Sequence, residues 1–382
     1  MASGRLSRIG RMRLGARRRR AAAAAQAAGV DALLVTHLPD VRWLCGFTGS
    51  NAALVLANRP QAQAVLFTDG RYTTQAKAEA VGVRVAISVK PAAAAACAWM
   101  AEAELKRCGF DRTQTTVAAL DAMRAAVPGR RRRGMFVALE PLVAQLREVK
   151  DAGEIEKMRA AAALGCRLFD RMLGYMQPGM TEMAVAAELE HAARLGGAER
   201  MSFDTIVASG ERSALPHGHA TGAKLPRRGF VTMDFGVVVD GYCSDMTRTV
   251  HLGRASDEER HVYEAVLEAQ EAGVAAVRAG VATHEVDQAA RSVLHKTGLA
   301  DWFTHSTGHG VGLEIHEGPR LARRPADAVK PPMEALKPGM VVTIEPGVYI
   351  PGKFGVRIED TVVVTREGCE ILTPSTKAWI EL

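Results

Sequence analysis

The chain has 382 residues, 48% apolar and 24% charged. That length suggests two domains, and the composition excludes a low-complexity or disordered chain. No apolar stretch reaches the ~18 residues of a membrane-spanning helix. The net charge of +7 hints at an acidic partner, but residues 1–20 alone carry eight arginines and no acid. The rest of the chain is therefore close to neutral. The arginine run Arg17 to Arg20 and a second one, Arg130 to Arg133, read as solvated charge, and specific nucleic-acid binding is not expected.

A basic tail over residues 1–14 is expected to be disordered. Helix-like stretches follow near 17–29, 72–80 and 92–108, and strand-like apolar runs at 33–36, 53–57, 64–68 and 83–87. Turn signals such as Asp69-Gly70 separate them. This alternation predicts a small α/β domain over 15–147, with no catalytic-looking cluster. The basic start lacks a leucine-rich core and a cleavage site, so a signal peptide is not expected. The six cysteines are scattered, with no CxxC pair. They read as thiols of a reducing, cytoplasmic compartment.

At LREVKDAGEIEKMRAAAALGCRLFDRML (146–173) the pattern changes to a charged start and a long helical period. A second domain is expected over 148–382. Its predicted helices are 151–175, 182–195, 257–279 and 284–297, and its predicted strands 203–209, 229–238, 242–251, 340–345 and 357–365. Strands interleaved with paired helices predict an α+β fold.

The chemistry concentrates in this half. In VTMDFGVVVDGYCSDMTRTV (231–250), Asp240-Gly241 marks a two-residue hairpin turn. Counting outward pairs Val239 with Tyr242 and Gly236 with Asp245. Asp234, two residues from Gly236, then shares a face with Asp245, diagonal to it at roughly 7–8 Å. Such a pair suits two metal ions about 3.5–4 Å apart, with side-chain-free Gly236 leaving the space between them open. A hairpin with its polar residues outward fits the same alternation.

HSTGHGVGLEIHEGP (305–319) carries His305, His309 and His316 among closely spaced glycines. Glycine at that density disfavours a helix and suits close backbone approach. Imidazole serves as ligand or proton carrier. His309 and His316 are an odd number of residues apart, so a plain strand would separate them, whereas a loop feeding a strand need not. Glu345 closes an apolar run before Pro346, and Glu359 stands in a β-rich run, sharing a face with Arg357 and Thr361. Carboxylates in apolar strands are uncommon unless paired or metal-bound. Two Asp, two Glu and one His make an oxygen-rich set that favours Mn²⁺, with Co²⁺ or Fe²⁺ as alternatives, over Zn²⁺.

At these residues the chain resembles the pita-bread metallopeptidases, within them the Xaa-Pro aminopeptidases and prolidases. HLPDVRWLCGFTGSNAALVL (37–56) and FTDGRYTTQA (67–76) resemble the creatinase/prolidase-type N-terminal domain, and residues from about 148 onward the pita-bread domain. The resemblance implies two divalent ions. Asp234 would bind one, Asp245 and Glu359 would bridge both, and His309 and Glu345 would complete the second. Glu345 would also take the proton from the attacking water. His217, in FDTIVASGERSALPHGHAT (203–221), and His316 would steady the substrate and the tetrahedral intermediate. His305 would line the site, and Arg357 would orient ligands. His219 matches no family role.

The expected activity is that of an Xaa-Pro aminopeptidase acting on proline-containing peptides, with Xaa-Pro dipeptidase (prolidase) as the alternative. A methionine aminopeptidase or a metal-free binding module of the same fold fits less well. A homodimer or larger homo-oligomer without membrane attachment is implied by analogy. One departure stands out. The arginine that can hold a dipeptide carboxylate in the family, 13 or 14 residues before the second-metal glutamate, falls here on Pro332 or Pro331, beside an apparent insertion around KPPMEA. Lys330 or an earlier arginine is left to take its place.

Overall fold

The computed structural model describes residues 8–58, 64–129, 134–324 and 334–382. Residues 1–7, Arg130 to Arg133, Lys330, Pro331 and Pro332 lie outside the described residues. The chain divides into two compact units, Met1–Arg147 and Glu148–Leu382.

In the first unit a six-stranded mixed sheet runs in the order Arg84–Ile87, Ala64–Thr68, Ala53–Ala57, Ala32–Val35, Cys108–Asp111, Phe136–Leu139. The central strands are apolar and buried along their whole length, as strands covered on both faces should be. The last two strands escaped the sequence reading. The expected helix over 92–108 in fact ends at Glu102, because Glu104 turns the chain at φ 56°. Glycine also hid the strand that follows. Gly109 lacks a side chain because a Cβ would lie 2.3 Å from Leu139.

The first helix corrects two expectations. It spans Arg8–Ala27, so the segment expected as a tail is helical from residue 8 onward. Nor is its arginine run all solvated charge. Arg18 donates to the carbonyls of Leu44 and Val81 at 2.8 and 2.9 Å, and Arg17 lies over the Trp43 ring.

In the second unit the four expected helices form at Ala152–Tyr175, Glu182–Leu195, Asp257–Ala276 and Thr283–Lys296. Their starts are written in the sequence. Asp151 with Glu154, and Ser256 with Glu259, form reciprocal capping boxes, and Thr181 caps Ala184. The first pair packs through Leu164, Leu168, Phe169 and Leu189 onto the sheet Ile206–Ser209, Gly229–Phe235, Met246–Leu252. The second pair covers Val341–Ile344, Phe354–Arg357 and Asp360–Val364. Strands and helices segregate as an α+β unit should.

The strand Met246–Leu252 is joined to the run 357–361 by a buried polar clamp. Arg248, 1% exposed, reaches the carbonyls of Thr247 and Glu359 and pairs with Asp360 at 2.8 Å. Asp360, fully buried, also accepts from Lys377 at 2.6 Å and Gln270 at 3.0 Å. Every oxygen is used, so the cost of burying these charges is offset by their mutual geometry. Asp360→Ala should therefore leave Arg248 unpaired in the interior and lower stability by about 3–5 kcal/mol, read as a fall in the urea midpoint of this unit. A shift under about 0.5 kcal/mol would mean the clamp is not what joins these strands.

Candidate metal centre

The hairpin register follows the turn. Asp240 and Gly241 have φ of 49° and 79°, as a tight turn of the hairpin type requires. Val239 pairs with Tyr242, and further along Phe235 pairs with Met246 and Asp234 with Thr247. Asp234 and Asp245 therefore lie on one face. The expectation for Gly236 needs correcting. A Cβ there would lie 1.8 Å from the Ser244 carbonyl. The glycine permits the two backbones to close at a break in the sheet, and keeps no space open for ions.

Glu359 is not inside a strand. It occupies the gap between Phe354–Arg357 and Asp360–Val364, where its amide donates to the Thr247 carbonyl. Its Oε2 accepts from the Thr247 hydroxyl at 2.7 Å. One carboxylate oxygen each of Asp234, Asp245 and Glu359 lies within 4.8 Å of the others. Glu345 follows Val341–Ile344, its amide on the Thr307 carbonyl and its Oε1 3.0 Å from the Thr343 hydroxyl.

The histidine loop is a short strand pair, Gly308–Gly310 against Glu317–Leu321, with an irregularity between His309 and Gly310. That bulge undoes the odd spacing: the rings of His309 and His316 stand 4.4 Å apart. His309 Nδ1 contacts the Gly310 carbonyl at 2.9 Å. A carbonyl only accepts, so Nδ1 bears the proton and Nε2 offers its lone pair. Nε2 lies 3.4 Å from Glu345 and 3.6 Å from Asp245.

Four carboxyl groups thus meet one arginine. Arg357 donates to Asp234 Oδ2 at 2.6 Å, the Tyr349 hydroxyl at 2.6 Å, the Thr247 hydroxyl at 3.1 Å and the Pro216 carbonyl at 3.0 Å. It fixes a ligand candidate and the loop bearing His217 together. Burial and then the neighbouring carboxylates push Asp245 and Glu359 well above the usual carboxylate range. Burial pushes Glu345 up to about 7. Two buried carboxylate oxygens, Asp234 Oδ1 and Glu359 Oε1, have no hydrogen-bond partner among the described residues. Unpaired buried oxygens of this kind are costly without a cation, so the donor set fits divalent metal ions.

A cleft of about 720 Å³ opens over these groups and contains all nine expected site residues, His217, Asp234, Asp245, His305, His309, His316, Glu345, Arg357 and Glu359. His305 lines it with both ring nitrogens engaged. Nδ1 donates to the Ser306 carbonyl, and Nε2 accepts from Tyr349, whose oxygen in turn accepts from Arg357. Burial lowers its pKa to about 4. Ser306 and Tyr349 thus fix the orientation of the His305 ring in the cleft wall. Sequence reading missed Tyr349, for which the sequence offers no signal. Among the earlier arginines that the sequence left open, strand pairing singles out Arg320, the cross-strand partner of His309. His219, Phe203 and Asp204 line the cleft as well.

The chain belongs to metallopeptidase family M24, which matches residues 156–366, and its residues 17–149 match the creatinase/prolidase N-terminal domain. It is a metallo-exopeptidase of pita-bread fold, and its family implies a dinuclear divalent metal site. It is similar to a solved Xaa-Pro dipeptidase from Bacillus anthracis, at 38% identity and TM-score 0.90 over 97% of this chain and 100% of that one. An X-Pro aminopeptidase from Thermotoga maritima superposes at TM-score 0.83 with 35% identity, over 94% of this chain and 100% of that one. The Xaa-Pro dipeptidase of Pyrococcus furiosus is 41% identical over 242 residues, 63% of this chain and 68% of that protein.

Protons and metal compete for these oxygens. Burial raises the folded pKa of Glu345 to about 7, from an ordinary glutamate value near 4.5. In metal-free protein its burial penalty is fully felt above pH 7 and relieved as pH falls toward 4.5. The thermal midpoint of chelated protein should thus gain on that of metal-loaded protein as pH falls from about 8 to 5.5. A difference that stays constant over that window would contradict the shared site. Asp245→Asn should abolish the rise in thermal midpoint that Mn²⁺ produces in chelated protein; a rise as large as that of the unsubstituted chain would remove Asp245 from the ligand set.

Proposed function

We propose that this chain is an Xaa-Pro dipeptidase, with longer Xaa-Pro peptides as poorer substrates. The observation that carries the reading is Arg320. It stands across the strand pair from His309, with cross-strand Cβ atoms about 4.5–5.5 Å apart, and lines the cleft with the four carboxylates. A free proline carboxylate bound beside the ions needs such a cation. The full-length likeness to a dipeptidase supports the same choice, so the expected aminopeptidase activity gives way to its alternative.

In this reading Asp234, Asp245, His309, Glu345 and Glu359 would together hold the two ions. Mn²⁺, Co²⁺ or Fe²⁺ suits these oxygen and imidazole donors. When bound, the ions supply Lewis acidity toward the scissile carbonyl and toward water. Glu345, its affinity for a proton raised by burial, accepts the proton of the attacking water and delivers it to the leaving proline nitrogen. His217 and His316 donate to the oxygen and nitrogen of the cleaved amide. Arg357 keeps Asp234 and the His217 loop in register. A homodimeric or larger, cytoplasmic assembly completes the reading, and gel filtration tests its size.

The expected result with Mn²⁺-loaded protein is hydrolysis of Ala-Pro with a higher kcat/KM than Ala-Pro-Ala. The reverse order would restore the aminopeptidase reading, and preference for a Met-Ala-Ser peptide would replace both. Arg320→Ala should raise KM for Ala-Pro by about 10-fold or more, the worth of a hydrogen bond to a charged group, with little effect on Ala-Pro-amide. His217→Ala should lower kcat about 10²–10³-fold while bound metal, counted by elemental analysis, stays unchanged.

A further inference from the structure

Beside the metal cleft lies a second cavity of about 490 Å³. His305, Ser306 and Arg320 belong to the walls of both, so the two spaces meet at Arg320. The back of the second cavity is firmly built. Arg291, on the helix Thr283–Lys296, pairs with buried Asp287 at 2.7 Å and donates to the carbonyls of Phe303 and His305. Its guanidinium lies 4.0 Å from the centre of the Phe303 ring. Asp287 in turn holds the amide and hydroxyl of Thr307.

With Arg291 neutralised by Asp287, three charged side chains line the rest: Arg320, Arg323 and Asp301. Neither the Arg320 nor the Arg323 guanidinium makes a hydrogen bond or ion pair among the described residues. Among the described residues the cavity lining is therefore cationic, with two unpartnered guanidinium groups against one carboxylate. Its size falls within the range of small-ligand pockets.

Resting on the Xaa-Pro peptidase reading, we infer that this cavity is a subsite for the residue after proline, selective for an acidic side chain. The chain then hydrolyses Xaa-Pro-Glu and Xaa-Pro-Asp tripeptides as well as Xaa-Pro dipeptides. In a dipeptide the proline carboxylate meets Arg320 and the second cavity holds only water. In a tripeptide the chain advances about 3.3 Å per residue past Arg320. A third residue enters the cavity bearing a terminal carboxylate, and with glutamate or aspartate a side-chain carboxylate too. Arg320 and Arg323 together match that pair of charges, whereas a lysine there faces both cations.

The test compares kcat/KM for Ala-Pro, Ala-Pro-Glu and Ala-Pro-Lys with the full-length, Mn²⁺-loaded enzyme. The glutamyl tripeptide is expected to exceed the lysyl one on the order of tenfold, with the ratio falling as salt screens the contact. Arg323→Glu, on an exposed position, should invert the ratio, with the lysyl tripeptide now preferred. Equal turnover of the two tripeptides, or a ratio untouched by both salt and Arg323→Glu, overturns the inference, as does hydrolysis of Ala-Pro with neither tripeptide cleaved. Loss of turnover of all three removes the dipeptidase reading and this one with it.

Discussion

Four carboxyl groups crowd around the buried guanidinium of Arg357, and much of the second unit is arranged to tolerate this. Like charges in a low-dielectric interior repel strongly, and an isolated buried carboxylate is costly. Arg357 offsets part of that repulsion at Asp234. Threonine hydroxyls at 247 and 343 take one oxygen each of Glu359 and Glu345. Two of the remaining oxygens have no hydrogen-bond partner among the described residues, and a proton or a cation would relieve them. The rigidity needed to hold the groups together comes from elsewhere, above all from the Arg248–Asp360 clamp beneath the neighbouring strands. Thr361 adds a hydrogen bond to the Asp245 carbonyl at 2.8 Å.

Local signals carried a large share of this. The hairpin turn set the register of Asp234 and Asp245, because two-residue loops leave no freedom in counting. Helical periodicity placed the four long helices within a few residues, and the structure shows capping boxes fixing the starts of two of them. What local signals could not reach was pairing between distant strands. Arg320 becomes a site residue only because Glu317–Leu321 folds back on Gly308–Gly310. The glutamate at 359 looks like a strand residue by composition, yet it occupies a break where a carboxylate leaves the ladder. Tyr349 is one more aromatic in an apolar run until Arg357 and His305 are seen to meet at its hydroxyl.

Glycine shows the same limit from another side. At Gly236 and Gly308 an added Cβ would fall about 1.8 and 1.9 Å from a backbone carbonyl. Both glycines sit next to ligand candidates, and both exist to bring strands close rather than to make room for a ligand. Close backbone packing fixes the direction of Asp234 and His309 more firmly than a loop would. That is what a two-ion site demands, since a small displacement changes every ligand distance at once.

The central claim is that this carboxylate cluster holds two divalent ions which together make the chain an Xaa-Pro dipeptidase. It is tested most directly by titrating chelated protein with Mn²⁺ while following proline release from Ala-Pro. The account predicts no turnover without metal and activity that climbs to a plateau at two ions per chain. Turnover in the presence of chelator, or a plateau at one ion per chain, would contradict it.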